Sequence, residues 1–168
     1  MKYITAYKLF TLKNDKIYPL FINKNESIPL NEWLTAEIHK TSGFALRPGW
    51  HAGTLPYAPH LRTKKNKIMK NRVWAEVRLS ANVNFTSKAN STKTKDLRDE
   101  LPHDGFYYFN TNKNQGKTWI IAGSMYVAKV LTNREVYQLL VRNGITHEEL
   151  LAETNTDNEA DILPALMN

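Results

Sequence analysis

The sequence predicts an α+β fold in a single domain, built mainly of antiparallel strands and closed by one or two C-terminal helices. Three observations lead there. Short runs of β-branched and aromatic residues recur between turn signals through most of the chain. One of them, from Val73 onward, alternates with a period of two. The clearest helix start comes late, at Thr132.

Taken in order, Tyr3 to Leu12 reads as a strand. Asn14-Asp15, set between Lys13 and Lys16, is a tight-turn signal, and Ile17 to Ile22 reads as the returning strand of a hairpin. Pro19 places that strand at an edge or a bulge. Asn31 to Lys40 (NEWLTAEIHK) fits either a third strand or a short helix, with Trp33, Leu34 and Ile38 loosely on one helical face. Arg47 to His60, RPGWHAGTLPYAPH, reads as neither a regular helix nor a central strand. Gly49 and Gly53 admit backbone conformations closed to other residues, and Pro48, Pro56 and Pro59 fix φ and remove donors. A shaped loop is expected, with the rest of the chain organised around it.

Val73, Ala75, Val77 and Leu79 then form the expected buried face of a strand, with Trp74, Glu76, Arg78 and Ser80 on the other face. Thr86 to Arg98 is polar and aperiodic, an exposed and mobile loop by composition. After a Pro/Asp/Gly turn, Phe106 to Phe109 is an aromatic strand, and Thr118 to Val130 is the most apolar one. Gly123 inside it signals a bulge or a close backbone approach. Thr132 and Glu135 make a capping box, Val136, Leu139 and Leu140 the apolar face of a helix, and Gly144 its stop. Thr146 and Glu149 repeat the box ahead of a shorter helix. One α+β domain is therefore expected over residues 1–153, followed by an acidic tail over 154–168 that ends in ILPALMN.

Composition limits the function. The 168 residues are 42% hydrophobic, enough for one domain with a core. No apolar run is long enough to span a bilayer, and MKYITAYKLF is too short and soon too polar for a signal peptide. No membrane partner is expected. The absence of cysteine excludes disulfides, thiolate zinc sites and cysteine catalysis, and fits a cytoplasmic protein. A net charge of +7 and a pI near 9.5 favour contact with polyanions such as nucleic acid, nucleotides or an acidic protein face, and argue against a DNA mimic. Solubility and AT-rich coding account for the same lysine and asparagine bias.

No GxxxxGK[ST] loop, HExxH or Gly-x-Ser-x-Gly is present, and no GxGxxG follows a strand. Acids are sparse mid-chain, so a magnesium nuclease pair is hard to assemble. His51, His60 and His103 are conceivable zinc ligands, but nothing fixes a further ligand at useful spacing, and no metal or other cofactor is expected. The Arg47–His60 segment offers more. Arg47 is a planar fork for phosphate or carboxylate, Trp50 and Tyr57 can stack on a base, and His51 and Thr54 can bond a sugar hydroxyl, with His60 close by. These are the parts of a nucleotide pocket. Equally, the two aromatics can plug the core while Arg47 pairs with an acid. Beyond the segment, Arg62, Lys64, Lys65, Lys67, Lys70 and Arg72 crowd into RTKKNKIMKNR, which is either a contact surface for nucleic acid or a protein partner, or a solvated loop.

Two resemblances follow from these motifs. RPGWHAGTLPYAPH, with VWAEV and WIIAGSMYVAKVLTNREV after it, resembles a family of small domains from bacteriophages and other mobile elements, found alone or within large polyvalent phage proteins. The likeness runs from AYKLF to the capped helix and implies action in the host cytoplasm, on DNA handling or host defence. His51-Ala52-Gly53-Thr54, with Ala58 and Leu61, is similar to the His-Gly-Thr segment of ADP-ribosyltransferases, and IIAGSMYVAKVLTNREV to the final strand of their DNA-modifying members. That likeness implies an ADP-ribosyltransferase-like scaffold, NAD as cofactor and a ribose-holding role for His51. The sequence departs from the pattern: Ala52 is inserted, and Gly123 or Ser124 stands where the catalytic glutamate belongs. A serine cannot neutralise an oxocarbenium-like cation. Glu76 and Glu135 are the nearby carboxylates that could substitute, although Glu135 already serves the capping box. His51, Glu76 and Ser124 are thus the catalytic candidates of an enzyme. The favoured expectation is a phage-type accessory or counter-defence protein that binds a host protein or nucleic acid; the alternative is an ADP-ribosyltransferase-like enzyme using NAD.

Overall fold

The computed structural model describes residues 1–21, 24–36, 49–87, 101–109 and 118–162. Among them lie nine strands, mostly antiparallel, and two short helices near the C-terminus, an α+β fold. The strands are β1 (Tyr3–Lys13), β2 (Lys16–Tyr18), β3 (Trp33–Thr35), β4 (Trp50–Gly53), β5 (Arg72–Ser80), β6 (Val83–Asn84), β7 (Gly105–Phe109), β8 (Trp119–Ala122) and β9 (Ser124–Val130). The helices are α1 (Asn133–Arg142) and α2 (His147–Ala152), with 3-10 turns at Pro59–Leu61 and Glu159–Asp161. The sheet order is β3-β9-β5-β1-β4-β8-β7-β6, and β2 pairs with β1 off that path. Among the described residues, no helix is long and apolar enough to cross a membrane.

The opening hairpin forms for the expected reason. Asn14 and Asp15 both take left-handed φ, 51° and 63°, as a two-residue I′-type turn requires. Thr11, Leu12 and Lys13 face Tyr18, Ile17 and Lys16. The return strand stops at Tyr18 because Pro19 has no N–H to continue the ladder. The ambiguous 31–40 segment is a strand where it is described: Trp33, Leu34 and Thr35 pair with Tyr126, Met125 and Ser124. Residues 37–40 lie outside the described residues, as do 88–98 of the polar loop.

The largest correction falls on Arg47–His60. Its middle, Trp50–Gly53, is a strand that lies between β1 and β8 in the sheet order and pairs residue for residue with Trp119–Ala122. The prolines do not prevent this because none falls inside the strand; Pro56 and Pro59 lie beyond it, and Pro59 opens a 3-10 turn. Gly49, just before β4, holds φ at 140°, and a Cβ there would sit 2.5 Å from an Ile121 methyl.

Thr118–Val130 is two strands rather than one. The chain breaks at Gly123, where a Cβ would lie 2.1 Å from the Pro102 carbonyl oxygen, so the close approach signalled by the glycine is present. Before the break β8 lies between β4 and β7; after it β9 lies between β3 and β5. On β5, Val73, Ala75, Val77 and Leu79 are buried as expected, but so are Trp74 and Ser80 on the opposite face. Each has a polar anchor: the Trp74 indole donates to Glu153 O, and the Ser80 hydroxyl to Gly105 O.

The chain forms two compact units, Met1–Ala6, Pro29–Thr54 and Glu76–Ala128 in the first, Tyr7–Ile28, Leu55–Ala75 and Lys129–Asn168 in the second. The first buries Val77, Leu79, Ile120 and Met125, with Tyr107 and Ile121 packed by Phe85, Leu101 and Phe109. The second buries Leu9, Phe10, Trp74, Tyr137, Leu140 and Leu150. In it the Thr132–Glu135 capping box closes in both directions, and α1 ends ahead of Gly144 at φ 71°. The second box does not form: the Thr146 side chain makes no cap bond. Thr154 and Ile162 are buried, and the Asn155 amide donates to Arg72 O. Residues 163–168 of the expected tail lie outside the described residues.

Candidate functional site

The residues expected to make a nucleotide pocket are divided between the two units. Arg47 lies outside the described residues. In the first unit, Trp50 is half-buried and its indole N–H donates to Leu34 O at 3.0 Å; His51, opposite Ile121 on β4, and Thr54 are exposed. In the second, Tyr57 donates its hydroxyl to Glu149 Oε2 at 2.7 Å, and its ring lies 5.3 Å from the Arg62 guanidinium carbon. His60 is exposed on the 3-10 turn.

The basic stretch is also rearranged. Arg62 does not belong to its surface: only 3% of the side chain is exposed. Its Nε and Nη2 donate to Glu153 Oε1 at 3.0 and 2.7 Å, and Nη2 lies 2.7 Å from Glu149 Oε2. Ala58 N–H also donates to Glu153 Oε1. Glu149, in the first turn of α2, and Glu153, its C-cap, are four residues apart, so they share one helical face and would repel without a cation between them. That like-charge spacing is the signal in the sequence that predicts the cluster. Glu153 is fully buried and its Oε2 has no hydrogen-bond partner. Burial raises its pKa, outweighing the opposing attraction of Arg62. Burial and the bond to Glu149 push the Tyr57 hydroxyl up to about 12. A carboxyl with a raised pKa is an ingredient of acid–base chemistry, but one with no exposed surface cannot meet a substrate. The cluster fastens the 57–62 segment to α2.

Lys67 donates to Asp157 Oδ1 and Thr156 O, and Lys70 lies 3.3 Å from Asp157 Oδ2; these bonds, Lys67 first, hold Asp157 below the usual carboxylate range. Arg72 has a buried Nε with no hydrogen-bond partner, and burial lowers its pKa. Lys64, Lys65 and Lys70 remain as the exposed members of the stretch.

The catalytic candidates occupy separate strands. Ser124, on β9, is 2% exposed; its hydroxyl donates to His103 O and its N–H to Ser80 Oγ. Glu76 is half-buried on β5. Glu135 accepts from Lys129 at 2.6 Å, a bond that, ahead of the cap itself, lowers its pKa. Among the described residues, no three His, Asp or Glu side chains gather as a metal ion would require.

A different group emerges on the first unit. Four consecutive strands, β3, β9, β5 and β1, carry Trp33, Tyr126, Arg78 and Tyr3. Trp33 faces Tyr126 in register, their ring centroids 5.6 Å apart and tilted by 52°. The Arg78 guanidinium carbon lies 5.2 Å from the centre of Tyr126 and 4.8 Å from that of Tyr3. Tyr3 is 48% exposed and Trp33 38%. With strands about 4.8 Å apart, the row spans roughly 14 Å across the sheet. Thr5 and Thr35, both exposed, and Glu76 share the strands that carry it. Alternation places Arg78 outward from sequence alone, but its ring partners come from distant strands, and no local signal assembles them. Chemically the row offers open π faces and one delocalised cation, a surface suited to flat, electron-rich rings and to phosphate.

No protein-family model, curated protein or solved structure matches the chain.

Proposed function

We propose that this chain is a binding protein whose partner is nucleic acid, held at the open face of the first unit, and that it serves a phage or other mobile element in the host cytoplasm. The observation that carries the proposal is the Trp33–Tyr126–Arg78–Tyr3 row: three rings, those at its ends exposed, and a guanidinium across four strands. The net charge of +7 supports it, because a cationic chain gathers polyanions over distances where no contact is yet made. The resemblance of RPGWHAGTLPYAPH and VWAEV to mobile-element domains supplies the setting. A protein partner fits the row less well. Protein hot spots sit in desolvated apolar pockets, whereas exposed threonines and a glutamate accompany these rings along their strands.

Fluorescence anisotropy with labelled DNA and RNA across a salt series tests the proposal. Affinity is expected to fall linearly on logarithmic axes as salt rises, as phosphate contacts displace counterions. Absence of binding to every oligonucleotide at low salt would overturn it.

A further inference from the structure

Resting on that reading, we infer that the row takes single-stranded nucleic acid and stacks its unpaired bases on Tyr3 and Trp33. Three features lead to this. First, the exposed aromatic surface lies at the two ends of the row, Tyr3 on β1 and Trp33 on β3, while Tyr126 is half-buried between Trp33 and Arg78. A duplex keeps its base faces stacked on one another, so rings presented on a sheet can reach them only where the strand is unpaired.

Second, Arg78 is already held against two rings, 4.8 and 5.2 Å from their centres. Its guanidinium therefore needs little further ordering before it meets a base or a phosphate. Third, the row crosses strands rather than following one. Its span of roughly 14 Å is the length of two to three nucleotides of an extended single strand, so the chain of the ligand runs across the strand direction. Glu76, two residues from Arg78 on β5 and on the same side by alternation, disfavours phosphate next to it. The ligand backbone then passes away from Glu76.

The experiment compares the intact protein with Tyr3→Ala, Trp33→Ala and the double variant, using an oligothymidylate single strand and a blunt duplex of the same length. Melting temperature is read alongside to show that each variant is folded. The single strand is expected to bind more tightly than the duplex at equal salt. Each substitution is expected to weaken it about tenfold, and the double variant more, as loss of base stacking does. Trp33→Phe, which keeps a ring, is expected to retain most of the affinity while losing the emission change that stacking on Trp33 produces. Equal or tighter binding of the duplex would overturn the single-strand assignment. Folded alanine variants that bind the single strand as the intact protein does would overturn the row as its site while leaving nucleic-acid binding in place. Failure of the intact protein to bind either ligand would remove both.

Discussion

Arg62 and Arg78 are the same residue in two opposite settings. Arg62, in the second unit, is sealed among full charges, with Glu153 and Glu149 on its guanidinium and 3% of its side chain exposed. Arg78, in the first unit, rests between two tyrosine rings on an open face. An ion pair in a dry interior has no substitute partner, so removing one member strands the other's charge. A guanidinium held by ring quadrupoles keeps its in-plane donors for something else, and water replaces a lost ring cheaply. The first arrangement suits fastening a fold; the second suits meeting a ligand.

The comparison can be broken most decisively at Glu153. Glu153→Ala leaves Arg62 without one of its two carboxylates and the Ala58 N–H without an acceptor. A loss of about 3–5 kcal/mol is expected, roughly 6–20 °C in melting temperature by scanning calorimetry. A variant that melts with the intact protein would show that the cluster fastens nothing.

The same carboxyl gives a pH signature. Its folded pKa is raised above the ordinary value of 4.5, with burial the leading cause. Between those two values the folded protein holds a proton that the unfolded chain has released. Stability from this group is therefore full below about 4.5 and is lost as pH rises through the folded value, beyond which it is flat. Urea midpoints measured across that range are expected to carry this component in the intact protein and to lack it in Glu153→Gln. Identical pH profiles would place the titration elsewhere.

Thr132→Ala supplies a middle point. It removes the side chain that accepts from Glu135 N–H at 3.1 Å, in a box that is exposed to water. A loss of about 1 kcal/mol is expected from chemical denaturation, well short of the Glu153 effect. Arg78→Leu should change stability least, by under about 1 kcal/mol, because one of its rings, Tyr3, is exposed and the other, Tyr126, only half-buried. Its effect should appear instead in the affinity for nucleic acid. A large drop in melting temperature with binding intact would turn the comparison around and make Arg78 the structural residue.

Much of the fold was legible in the sequence because it rests on local rules. The Asn14-Asp15 turn, the buried alternation of Val73 to Leu79, the close approach at Gly123 and the Thr132–Glu135 cap each depend on a few neighbouring residues. The site was far less legible. Five prolines and glycines around Trp50 and His51 suggested a loop, but a strand survives wherever the ring-locked residues fall just outside its ladder. Arg62 looked like one of a run of surface cations. One of its acids, Glu153, lies 91 residues on, and Glu149 read instead as the partner of Thr146 in a capping box.

By itself the sequence determined the class of the fold, the hairpin, the main capped helix and a net positive charge, because periodicity, turn residues and composition act over a few residues or over the whole chain without regard to arrangement. Only the tertiary structure decided which arginine is locked and which is open. Trp33 meets Tyr126, and Arg78 meets Tyr126 and Tyr3, because the strands that carry each pair are hydrogen-bonded neighbours in the sheet, and that adjacency depends on pairings between segments far apart in the chain.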